Sequence, residues 1–135
     1  MKPKLRSRAR AAALQILYQM DLGTDEDEAY QHVMDHFGTP PLDSGYLRRL
    51  LDGVSSQREA LAERLEQANP QWRQDRQDVV DRNLLLMSAF ELVEGTAPLK
   101  VVLTEAGLLA ERYGSDRSAQ FVRGTLGRLA EGLTG

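Results

Sequence analysis

Apolar residues recur along this chain at the three- and four-residue spacing of a helix face, and no segment alternates as a strand does. The spacing predicts about seven helices, over approximately 5–22, 25–37, 46–54, 56–68, 79–94, 99–113 and 117–133. Short connections join them, so the fold class is all-α. The simplest organisation is one compact domain over 1–135, built from two packed helical sub-bundles.

Local signals mark where these helices begin and end. Thr24 is the candidate N-cap of the second helix, and Ser56 with Glu59 forms a capping-box pattern that starts a new one. Gly38-Thr39-Pro40-Pro41 is the clearest break. The segment 79–94 is apolar nearly all round, which predicts a central helix surrounded by others.

Charge is distributed unevenly between the first ten residues and the rest of the chain. The net charge is -3, yet residues 1–10 contain five basic side chains and no acid. The remainder holds 12 of the 17 basic residues and all 20 acidic ones. A basic arm on an acidic body predicts a localised anion-binding site.

The basic arm has a chemistry suited to phosphate. Arg6 and Arg10 are four residues apart, so they share a helix face beyond the core end of the apolar stripe, where both are expected to stay hydrated. Arg8 points the other way. Guanidinium groups present forked donors that match phosphate oxygens. The alternative is a solvated, frayed N-terminus, which is common in proteins.

A second candidate lies on the flank of the last helix. Arg117, Phe121 and Arg128 fall close together in angle, beside the apolar stripe. An aromatic ring between two guanidinium groups suits an unstacked nucleic-acid base. The alternative is that Phe121 only widens the core.

Other chemistries find little support. The chain has no cysteine, which excludes disulfides and thiolate chemistry and fits a reducing cytoplasm. His32 and His36 have metal-ligand spacing but no third ligand, so a surface pair is expected, and no metal or cofactor. No phosphate loop or nucleophile elbow is present, which argues against an enzyme. No apolar run is long enough to cross a membrane, and no signal peptide is recognisable.

Four blocks, in order, resemble the NusB family. They are 6–22 (RSRARAAALQILYQMDL), 46–54 (YLRRLLDGV), 81–92 (DRNLLLMSAFEL) and 98–126 (PLKVVLTEAGLLAERYGSDRSAQFVRGTL). The resemblance implies a cytoplasmic factor that binds boxA RNA of ribosomal RNA operon leaders together with NusE, a small-subunit ribosomal protein. Acting with other Nus factors, it would help RNA polymerase resist termination.

The resemblance also implies site residues by position. The basic arm adds Lys4, and the flank of the last helix adds Arg128. The expected RNA-binding residues are therefore Lys2, Lys4, Arg6, Arg8, Arg10, Tyr18, Arg117, Gln120, Phe121 and Arg128. They would form one composite surface. The expected NusE contact lies at the start of the central helix, at Asp78, Asp81 and Leu85.

The chain departs from the family pattern at three positions, and several alternatives stay open. Leu86, Thr104 and Arg123 stand where the family usually has Arg, Asn and Asn. A NusB-like domain also occurs in ribosomal-RNA cytosine methyltransferases, and a protein-binding module without RNA affinity is a third reading. The chain could be a monomer or a homodimer.

Overall fold

The computed structural model describes residues 2–36, 41–72 and 78–134, without the side chains of 2, 3 and 134. Within those ranges it contains six α-helices and no strand, which confirms the all-α class. They are α1 (Lys2–Asp21), α2 (Glu26–His36), α3 (Ser44–Ala68), α4 (Val79–Glu94), α5 (Leu99–Tyr113) and α6 (Ser118–Thr134). The chain divides into two compact units, 1–52 and 53–135, and the boundary falls within α3. A single domain over 1–135 stays a prediction.

In the first unit, α1 packs against α2. The buried side of α1 is rich in alanine, with Ala9, Ala12 and Ala13 fully buried, and small side chains allow close helix approach. The backbone N–H of Asp27 donates to the Asp25 carboxylate at 3.1 Å, so Asp25 caps α2 rather than Thr24. The predicted end of the second helix at Phe37, and the predicted break from Gly38 to Pro40, lie outside the described residues.

Two predicted helices, 46–54 and 56–68, form one long helix, α3, and this is why six helices replace the seven expected. The only departure from helical geometry that α3 shows is a kink at Gln57 (φ -117°, ψ 16°). The Ser56 hydroxyl donates back to the Gly53 carbonyl oxygen at 3.5 Å, a bond within the preceding turn. The break predicted between 54 and 56 is therefore observed as a kink at Gln57, and residues 55–60 around it are not buried.

In the second unit, α4 packs against α5 and α6, which also pack against each other. Every residue from 83 to 91 is buried, which confirms the central helix predicted from its all-round apolar pattern. Gly95 ends α4 in the left-handed conformation (φ 70°) and donates its N–H to the Glu91 carbonyl at 2.9 Å. No helix in the described part of the chain is long and apolar enough to cross a membrane.

Candidate RNA-binding surfaces

The basic arm forms the first turns of α1, in the first unit. Lys4 is exposed, Arg8 is half-buried, and the side chain of Lys2 lies outside the described residues. The Arg6 guanidinium lies 4.2 Å from the centre of the Tyr46 ring, and its Nε is 3.9 Å from Oδ2 of Asp43. Its side chain remains 42% exposed. Arg6 is therefore a partly exposed cation held in a defined position.

Arg10 differs from Arg6, and the expectation that it stays hydrated is wrong. Only 3% of the residue is exposed, because this turn of α1 already lies in the core between buried Ala9 and Ala11. Its guanidinium is 5.4 Å from the centre of the Tyr46 ring. A group so deeply buried is a poor phosphate contact, so Arg10 is better placed among the residues that pack the unit.

Tyr18 lies near the end of α1 and is 40% exposed. Leu22, which follows one turn later, is 64% exposed. An exposed aromatic ring is available for a contact, and an RNA contact by Tyr18 stays a prediction.

In the second unit, an open groove with a volume of about 760 Å³ lies between the start of α4, the end of α3 and α6. It brings together the four site residues predicted on or beside α6, namely Arg117, Gln120, Phe121 and Arg128. The two arginines and the glutamine are exposed, whereas Phe121 is half-buried. The helical spacing therefore predicted a cluster that the fold assembles, in which one aromatic side chain and two cations line the same groove.

Asn69, Thr125 and Gly124 also line the groove and were not predicted as site residues. The Asn69 side-chain amide donates to the Thr125 hydroxyl at 3.0 Å, and its oxygen accepts the Gln71 backbone N–H at 3.1 Å. Gly124 also lines the groove, and open space surrounds the position where its Cβ would stand. Asn69-Pro70 signals only a helix end in the sequence, because a bond to a residue so distant along the chain leaves no local pattern.

The acidic end of the groove contains two of the three residues expected to contact NusE. Asp78 is exposed and caps α4, its carboxylate accepting the Val80 N–H at 2.8 Å. Asp81 is only 9% exposed. Burial raises the pKa of Asp81, a hydrogen bond with Ser118 lowers it, and the charge of Asp78 raises it. The third residue, Leu85, is completely buried, so its assignment as a partner contact is wrong.

The predicted histidine pair is exposed, and His32 Nδ1 lies 3.4 Å from the Gln19 side-chain oxygen. No group of three or more metal-binding side chains occurs among the residues that the structure describes. The basic arm on α1 and the cations that line the α6 groove are thus the two features whose side chains suit an anionic ligand such as RNA.

Comparison with known proteins agrees with this geometry. A model of the NusB family matches residues 7–131. The transcription antitermination protein NusB of Anaeromyxobacter dehalogenans (strain 2CP-1) is 39% identical over 132 residues, covering 95% of this chain and 92% of that protein.

Solved structures share the fold. T. maritima NusB has a TM-score of 0.80 and 28% identity, covering 93% of this chain and 90% of that one. A chain in the crystal structure of the antitermination factors NusB and NusE in complex with double-stranded RNA has a TM-score of 0.84. Its identity is 24%, with coverage of 96% and 98%. This chain therefore belongs to the NusB family of transcription antitermination proteins, which are not enzymes.

Proposed function

We propose that this antitermination protein binds boxA RNA from the leaders of ribosomal RNA operons in the cytoplasm, together with NusE. The observation that carries the proposal is the groove of the second unit, which half-buried Phe121 lines together with exposed Arg117 and Arg128. A ring offers a stacking surface to an unpaired base, and the flanking guanidinium groups can neutralise its phosphates. Other Nus factors and RNA polymerase are reached indirectly, through the RNA and NusE.

The basic arm supports the same proposal independently. Exposed Lys4 and partly exposed Arg6 and Arg8 supply positive charge to α1, with Lys2 preceding them in the sequence. Tyr18, exposed on the same helix, adds an aromatic surface. Contacts to phosphate position an RNA without reading its sequence, so the arm is assigned to affinity and the aromatic residues to base contact.

NusE is the proposed protein partner, and Asp78 and Asp81 are its proposed contacts. A protein of this fold has been solved together with NusE and RNA, which supports an interaction of this kind. Asp78 is exposed at the start of α4 and is the better placed of the two. The exposed carboxylate of Asp78 favours a partner surface that presents lysine or arginine.

The proposal is tested by measuring the affinity for single-stranded boxA RNA over a range of salt, with and without NusE. Replacing Arg117 and Arg128 by alanine is expected to weaken binding and to reduce the salt dependence by about one unit of slope per lost phosphate contact. The matched control replaces Lys100 and Arg112, two exposed cations of α5 that do not line the groove.

If the groove variant and the control weaken binding equally, the groove is not the RNA site. If NusE binds but the RNA adds nothing to the affinity of the complex, the chain is a protein-binding module instead.

A further inference from the structure

Two residues at the start of α3, Tyr46 and Asp43, lie close to the Arg6 guanidinium. The guanidinium lies 4.2 Å from the centre of the Tyr46 ring, within the range of a cation–π interaction. Asp43 also lies beside the guanidinium, with its Oδ2 3.9 Å from Arg6 Nε. That distance is too long for a hydrogen bond, so the ion pair is loose.

Both of these neighbours are themselves held in place. Tyr46 is only 4% exposed, so its ring has little freedom to move. The Tyr46 backbone N–H donates to Asp43 Oδ1 at 3.0 Å, which makes Asp43 the cap of α3. The Asp43 N–H donates in turn to the Leu5 carbonyl oxygen at 3.1 Å. The start of α3 is thus tied to the chain segment that carries Arg6.

We propose that Tyr46 is a positioning residue for Arg6, and that Asp43 is a resident counter-charge which an RNA phosphate replaces. The inference rests on the proposed RNA function of the arm. A long arginine side chain normally loses much rotational freedom when it binds, and a ring that already holds it reduces that loss. The loose pair with Asp43 keeps the guanidinium occupied in the free protein but leaves 42% of the side chain exposed to a phosphate.

Asp43 and Tyr46 have opposite effects on RNA binding in this arrangement. Asp43→Asn keeps a side-chain oxygen that can cap α3 and removes only the negative charge beside Arg6. We expect this variant to bind RNA more tightly than wild type, by roughly two- to fivefold at low salt. Removing one exposed charge pair changes an equilibrium constant by about this factor. The gain should shrink as salt is raised.

The matched control for this variant is Asp52→Asn. Asp52 is an exposed acid on α3 in the same unit, 3.9 Å from Arg48 rather than from Arg6. It produces the same change in net charge. An equal gain in affinity for Asp43→Asn and Asp52→Asn would show a general charge effect and overturn the proposal.

The role of Tyr46 is tested with two replacements. Tyr46→Phe keeps the ring and should bind single-stranded boxA RNA as wild type does. Tyr46→Leu keeps an apolar side chain but removes the ring face, and binding should weaken by roughly two- to fivefold. Circular dichroism and urea unfolding confirm that each variant is folded. If Tyr46→Leu does not fold, the RNA affinity of Asp43→Asn tests the proposal instead.

Each change is repeated in an Arg6→Ala background. If Tyr46 and Asp43 act through Arg6, Tyr46→Leu and Asp43→Asn have no further effect on RNA affinity there. Effects that persist without Arg6 overturn the positioning role. A different result, in which Arg6→Ala itself binds RNA as tightly as wild type across the salt range, overturns the RNA function of the arm instead.

Discussion

The side-chain amide of Asn69 donates a 3.0 Å hydrogen bond to the hydroxyl of Thr125, and this bond ties the end of α3 to α6. Both residues are buried, with 6% and 1% of their surfaces exposed. Both also line the groove that carries Phe121. The bond therefore helps to fix the wall against which a base is proposed to stack.

The first prediction concerns the stability that this bond provides. Thr125→Val keeps the shape of the side chain and removes the hydroxyl, which leaves the buried amide of Asn69 without that acceptor. We expect the free energy of unfolding to fall by about 1–3 kcal/mol, the cost of an unsatisfied buried group. Urea unfolding measures it.

The double variant Asn69→Ala/Thr125→Val completes the test. It should cost clearly less than the sum of the two single variants, because neither partner is then left alone. Strictly additive losses would mean that the two side chains contribute independently and that the bond does not couple α3 to α6.

Two helical glycines lead to a second, paired prediction. At Gly53 an added Cβ would collide with the ring of Phe90, which is buried and rigid. At Gly107 it would collide with the guanidinium of Arg123, the far end of a flexible and half-exposed side chain. Gly53→Ala should therefore destabilise the protein by about 1–3 kcal/mol through overpacking.

Gly107→Ala should change stability by less than about 1 kcal/mol, since Arg123 can turn away and alanine favours the helix. Thermal and urea unfolding of the two variants give the comparison directly. A large loss at Gly107 would show that the contact with Arg123 is held more tightly than the exposure of that arginine indicates.

A third prediction follows from Asp81. Its pKa is raised in the folded protein, chiefly by burial, so the native state holds the proton to higher pH than the unfolded chain does. Stability from this group is complete below the ordinary range of an aspartate and is lost as pH rises through the raised pKa. Asp81→Asn should therefore stabilise the protein at pH 7, because it removes a buried charge and can still accept the Ser118 hydrogen bond.

This gain should disappear as pH falls below the ordinary range of aspartate, where Asp81 is protonated in both states. Urea unfolding across pH checks it, and Asp116→Asn, at an exposed acid before α6, is the matched control. A gain of equal size at acidic and neutral pH would assign the effect to something other than the charge of Asp81.

The sequence predicted those parts of the fold that depend on periodic burial. The range 99–113 matches α5 as observed, and the all-round apolar segment 79–94 is the buried α4. The capping signal of Ser56 and Glu59 predicted a break between two helices, and the structure has a kink at Gln57 within α3.

The candidate site was predicted where helical geometry alone decides proximity. Arg117, directly before α6, lines one groove with Phe121 and Arg128 of α6, as the helical spacing predicted. Prediction failed where burial depends on distant residues. Arg10 shares the face of Arg6 but is covered, and Leu85 lies within reach of Asp81 along α4 but points into the core. Neither fact is visible in local spacing.

The contrast between Arg10 and Lys4 gives a fourth prediction. Arg10→Ala should lower the free energy of unfolding by about 1–3 kcal/mol, because a buried arginine contributes packing as well as charge. It should leave the salt dependence of RNA binding unchanged. Lys4→Ala, at an exposed position, should leave stability unchanged and reduce the salt slope by about one unit. If Arg10→Ala instead reduced the salt slope and left stability unchanged, Arg10 would belong to the RNA-binding residues.

The last prediction separates stacking from charge within the groove. Phe121→Ala should weaken binding of single-stranded boxA RNA by roughly 1–3 kcal/mol, the range for one base stacked on an aromatic ring. Stacking releases no counterions, so the salt slope should not change. Arg128→Ala should do the opposite, with a smaller slope and a loss of affinity that fades at high salt. Phe121→Trp preserves a stacking face and should retain binding.

Tyr113→Ala is the matched aromatic control, because this half-buried ring on α5 does not line the groove. Urea unfolding of each variant separates a loss of folding from a loss of binding. If Phe121→Ala and Phe121→Trp weaken RNA equally, Phe121 supports the groove through packing. If Phe121→Ala lowers the salt slope as Arg128→Ala does, the loss reflects displaced cations rather than an absent stacking surface.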